Sequence, residues 1–66
     1  MRKYYIEIAA NGSYHLLSAD YIPDMTVYQE ITELQWNAIA AFNEVNQMNL
    51  SRVRIDPITL IPFLVP

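Results

Sequence analysis

The chain has no cysteine, a single glycine and a single histidine among its 66 residues. Without cysteine there is no disulfide and no thiolate metal site, and one imidazole cannot make a structural zinc site by itself. One glycine is too few for a phosphate-cradling loop or a dinucleotide fingerprint. No cofactor and no metal are therefore expected. Charge is also scarce. Charged residues make up 17% of the chain, below the usual quarter, whereas 53% is hydrophobic. The net charge of −3 lacks the basic excess of a general nucleic-acid binder, so nucleic acid is not the expected partner. Long apolar runs are missing too. The longest charge-free stretch near the C-terminus, residues 57–66, is half of the roughly 20 residues that a membrane span needs. Arg2-Lys3 is followed by Tyr4, Tyr5 and Glu7 rather than by an apolar leader. The expectation is a cytoplasmic protein outside the membrane.

A single domain of this size buries only about 60% of the surface that its unfolded chain exposes. Disulfides, metals and partner subunits are the usual supplements, and the composition removes the first two. Homo-oligomerisation, with a dimer favoured, is the remaining expectation.

The most legible stretch runs from Thr32 to Leu50. Thr32 and Gln35 have the spacing of a capping box. Glu33 suits the positive end of a helix dipole. Leu34, Ala38, Ala41, Phe42 and Val45 fall at the spacing of one buried stripe. The pattern predicts a helix over residues 33–48, with Asn49 as a left-handed C-terminal residue. Trp36, Ile39, Ala40 and Asn43 lie on the opposite side, with no charge. That side is read as an interface for a second copy or another protein, because tryptophan concentrates at interaction hot spots.

Before the helix, residues 3–9 and 13–18 read as a hairpin around Asn11-Gly12, a dipeptide that tolerates positive φ. A two-residue loop pairs Ile8 with His15 and Ile6 with Leu17. Tyr4, Ile6, Ile8, His15 and Leu17 then face the core. Tyr5, Tyr14 and Leu16 share the other face with Glu7, as a second contact surface. A three-residue loop with a bulge would shift this register. Residues 19–25 read as a loop and 26–31 as a third strand. After the helix, residues 52–56 alternate as a strand. The expected architecture is α+β, in the order β-β-β-α-β, with one helix across an antiparallel sheet.

Residues 57–66 contain three prolines and no charge. Ile61, Phe63 and Leu64 are expected either to close over the chain's own core or to pack on another molecule. All four cations lie in two places, Arg2 and Lys3 at the start of the first strand and Arg52 and Arg54 on the last. If those places are neighbours they form one patch able to touch phosphate. No serine has a nucleophile context, and in this register Glu7 points away from His15. These features favour a small non-enzymatic interaction module, an accessory regulator or inhibitor acting by surface contact with an unknown protein partner. Lone domains of this kind are common among short reading frames of phages and mobile elements. The alternative is a weak nucleic-acid binder using the four cations.

Overall fold

A computed structural model describes all 66 residues. Strand β1 (Lys3–Ile8) pairs antiparallel with β2 (Tyr14–Ala19) on one side and with β3 (Gln29–Ile31) on the other, giving the order β2-β1-β3. Helix α1 (Glu33–Val45) follows, then a 3₁₀ segment (Gln47–Arg52). Strands β4 (Val53–Ile55) and β5 (Pro62–Leu64) form a separate antiparallel ribbon. The protein is a small α+β domain. The C-terminal tail supplies its fifth strand and pairs with β4 of its own chain, so the last predicted strand does not join the main sheet.

Core formation draws one isoleucine from each of four elements. Ile6, Ile31, Ile39 and Ile55 are buried together, with Tyr4, Ile8, Tyr14, Leu16, Trp36 and Leu60 packed around them. Each such isoleucine contributes about 1.5–3 kcal/mol on burial.

The capping box forms as expected. Gln35 N–H donates to Thr32 Oγ1 at 3.0 Å, and Thr32 N–H donates to Gln35 Oε1 at 2.8 Å. The far end differs. The helix stops at Val45, because the Asn46 side chain donates to the Phe42 carbonyl at 2.8 Å and the chain tightens into 3₁₀ geometry. Asn49 sits at φ −128° and is not left-handed.

The hairpin loop holds three residues, 10–12, rather than two. Gly12 N–H donates to Ala9 O at 2.9 Å, Ala9 N–H donates to Ser13 O at 2.7 Å, and Gly12 takes φ 86°. Asn11 Oδ1 accepts from Ser13 N–H at 2.9 Å. The register therefore shifts by one: Ile8 pairs with Tyr14, Glu7 with His15 and Ile6 with Leu16. A one-residue slip turns every side chain of a strand over. Tyr14 and Leu16 consequently join the core side with Tyr4, Ile6 and Ile8, while His15 and Leu17 share the far side with Glu7 and Tyr5.

Strands β2 and β3 both run antiparallel to β1, hence parallel to each other. Consecutive strands of one sheet that run the same way need a crossover even with β1 between them, so residues 20–28 must return the length of the sheet. The Tyr28 ring meets that of His15 at 6.3 Å on the face away from the helix. On that same face Tyr5 is only 3% exposed.

The crossover also shortens the third strand. Asp24 accepts from Thr26 N–H at 3.0 Å and from Thr26 Oγ1–H at 2.6 Å, and its carbonyl accepts from Val27 and Tyr28. Residues 25–27 thus form a turn, and β3 begins only at Gln29. The Thr26 hydroxyl, then the Thr26 amide, hold the Asp24 carboxyl below its ordinary range, against a small opposing effect of burial. A depressed carboxylate stabilises the fold above its unfolded value, and that contribution fades as acid carries the pH down through the folded value. Thr26→Val is expected to raise the Asp24 midpoint, followed by carboxyl-carbon NMR. An unchanged midpoint would exclude the hydroxyl as the cause.

Candidate interaction surface

The helix carries two apolar stripes, and the sheet takes the one that the sequence pattern placed outside. Ile39 is 0% exposed. The Trp36 ring lies 5.0 Å from that of Tyr4, tilted by 41°. Asn43 Oδ1 accepts from the Tyr14 hydroxyl at 2.7 Å. Trp36, Ile39 and Asn43 thus turn toward the chain's own sheet, Ile39 fully buried and the other two half-buried, rather than to solvent as expected; Ala40 is exposed at the border of this stripe.

The predicted core stripe faces out. Leu34 is 80% exposed and Val45 is 83% exposed, with Ala38 and Ala41 exposed between them; only Phe42, on the flank, is half-buried. At 100° per residue these four positions form one ridge. Glu33 and Glu44 border it on one side, and the helix has no basic residue. A helix lying on a sheet normally turns charge to water here. Sequence reading missed this surface, although one signal was present: Trp36, the largest apolar side chain of the helix, falls on the same stripe as Ile39.

Apolar exposure continues elsewhere. Ile61, Phe63 and Leu64 on and beside β5 are all exposed, as are Met48 and Ile58. The molecule exposes 4680 Å², against about 4,300 Å² for a compact monomer of this mass. The excess and the bare stripe point the same way.

The proposed secondary surface of Tyr5, Tyr14 and Leu16 does not exist as one face. Tyr5 is covered on the far side, and the other two pack against the core.

The four cations are also separated. Arg2 and Lys3 lie at the start of β1, whereas the Arg54 side chain packs against Gly12 beyond its other end. Six strand residues at about 3.4 Å each keep them roughly 20 Å apart. Each is engaged locally. Arg2 Nη1 donates to Ser18 O at 2.8 Å, and Lys3 lies 3.8 Å from Glu30. Arg52 donates to Val65 O at 3.2 Å, and Arg54 donates to Ser51 O and Val53 O at 2.9 Å each. They do not make one patch.

The shifted register does bring Glu7 opposite His15, on the face that also carries Ser13. These residues line a shallow cavity of about 210 Å³ with Ala9 and Tyr14. A nucleophilic serine needs its hydroxyl bonded to the imidazole and the imidazole bonded to an orienting acid. No hydrogen bond joins these three side chains, and His15 turns its ring to Tyr28 instead.

Fold and surface together define a small α+β domain with an unpartnered apolar helix ridge. No helix is long and apolar enough to cross a membrane. Comparison with family models, curated proteins and solved structures finds no match to this chain.

Proposed function

We infer that this chain is a non-enzymatic, homo-oligomeric accessory module, a regulator or inhibitor that works by surface contact with a partner protein. The observation that carries this reading is the exposed ridge of Leu34, Ala38, Ala41 and Val45. Positions i, i+4, i+7 and i+11 are the anchor spacing of a helix that lies in an apolar groove. The acidic border of Glu33 and Glu44 suits a groove rimmed by basic residues. The exposed tail side chains Ile61, Phe63 and Leu64 would extend the contact. The origin in a phage or mobile element and the cytoplasmic location remain part of this proposal.

The test uses a photo-crosslinking residue at Leu34, at Val45 or, as control, at Ala40, introduced into the full chain in an extract of its host. Leu34 and Val45 are expected to crosslink to one same protein, and Ala40 is not. Excess wild-type chain should abolish the adduct, whereas excess Leu34→Glu/Val45→Glu should not. Equal yield at Ala40, or equal competition by both chains, would remove the ridge as the contact surface.

A further inference from the structure

The edges of the two sheets are unequally protected. Exposed strand edges are normally blunted by brevity, charge or proline. Strand β3 has three residues and presents Glu30, paired with Lys3. Strand β5 has three residues and begins with Pro62. Strand β4 is held on the hairpin loop, where Ile55 N–H donates to Gly12 O at 3.0 Å. Strand β2 is the least protected: it is neither short nor interrupted by proline, and the one charge at its edge is the Arg2 guanidinium at the Ser18 end. It runs for six residues, YHLLSA, with no proline and no Lys, Arg, Asp or Glu.

Which of its backbone groups are free follows from the ladder. The Ala9–Ser13 bond fixes the alternation. His15, Leu17 and Ala19 turn their N–H and C=O groups toward β1. Tyr14, Leu16 and Ser18 turn theirs outward, and β2 has no strand beyond it. Among these outward groups only the Ser18 carbonyl has a partner, the Arg2 guanidinium. At the Tyr14 end a cleft of about 410 Å³ is lined by Ser13, Tyr14, Leu50, Ser51, Val53 and Arg54.

We propose that β2 pairs antiparallel with β2 of a second copy, joining two three-stranded sheets into one of six. The outward groups are symmetric about Leu16. With the twofold axis there, Leu16 pairs with itself and Tyr14 pairs with Ser18 of the other copy. The Leu16 pair exchanges two N–H···O bonds, and each Tyr14–Ser18 pair does the same, with the Ser18 carbonyl accepting from both the Arg2 guanidinium and the Tyr14 N–H through its two lone pairs. On the helix side the two Leu16 side chains meet. On the far side His15 stands opposite Leu17, and no two carboxylates or ammonium groups are brought together. An isologous contact of this kind closes at two copies. It is independent of the helix ridge, and it would present two ridges on one particle.

The test is sedimentation equilibrium on the full chain, made synthetically with either a normal or an N-methylated peptide bond at Leu16. N-methylation removes the central outward donor and leaves the side chain and the β1 ladder in place. The wild type is expected to be a dimer, and the N-methyl chain to dimerise about 100-fold more weakly, from two lost bonds and the methyl obstruction. A mixed sample of labelled and unlabelled wild type should show an intermolecular nuclear Overhauser effect between the α-protons of His15 and Leu17. This second readout decides the matter if the N-methyl chain does not fold. Leu34→Glu/Val45→Glu should leave the dimer intact. A monomeric wild type overturns the proposal, as does an edge that takes up an extended peptide of another protein but not its own copy. So does a dimer that lacks the His15–Leu17 effect, or one that the ridge variant dissociates; that last result would place self-association on the helix.

Discussion

Ile39→Ala is expected to destabilise the domain by about 2–5 kcal/mol, the range for truncating a fully buried aliphatic side chain that leaves a cavity. Ile39 is completely enclosed among Ile6, Ile31 and Ile55, so little can relax into the space. At roughly 0.05–0.15 kcal/mol per residue, a chain this short has about 3–10 kcal/mol in total. The variant should therefore lose a large part of its stability in a urea titration. The companion Leu34→Ala, on the exposed ridge, should stay within about 0.5 kcal/mol of wild type. The pair tests the rotation of the helix directly. If Leu34→Ala cost several kcal/mol and Ile39→Ala almost nothing, the helix would lie on the sheet by its other stripe.

The second large effect is expected at the one glycine. Gly12 holds φ 86°, and a β-carbon there would sit 3.0 Å from the Arg54 β-carbon. The left-handed backbone alone costs an alanine about 1–2 kcal/mol. The contact adds to this, because a β-carbon is tied to its own backbone and gives way poorly. Gly12→Ala should lower the urea midpoint clearly. Gly12→Asn tolerates the left-handed backbone but keeps the contact, so it should fall between alanine and wild type. Alanine and asparagine of equal cost would assign the whole effect to the contact. An alanine variant within 0.5 kcal/mol of wild type would show that the loop does not need glycine.

What could be read in the sequence was local. The Thr32–Gln35 capping box depends on residues three apart, and it forms with both bonds. The hairpin was located by Asn11-Gly12, but its loop length was not, and that one residue decided which side Tyr14, Leu16 and His15 occupy. The helix face was ambiguous for a different reason. Both stripes are apolar, and periodicity counts apolar positions without saying which set the sheet will take. Asn43 read as a surface residue, yet the Tyr14 hydroxyl satisfies it at 2.7 Å, a partner 29 positions away. The crossover and the separation of the cations depend on strand order, which no local pattern encodes. The turn at Asp24 and Thr26 carried a local signal, an aspartate two residues before a threonine, which the β-propensity of the following TVYQEI concealed.

The dispersal of the four core isoleucines has a consequence for synthesis. Ile6 and Ile55 lie at opposite ends of the sequence, and Ile31 and Ile39 fall between them. No shorter portion of the nascent chain can enclose Ile6. At about 5–20 residues per second, the interval between making Ile6 and making Ile55 is roughly 2–10 seconds. Until Ile55 is in place the β1–β2 hairpin has nothing to complete the cover of its core side, and the edge of β2 carries no charged residue of its own. If β2 pairs with its own copy as proposed, chains emerging close together on one message could meet through that edge before any of them had a completed core.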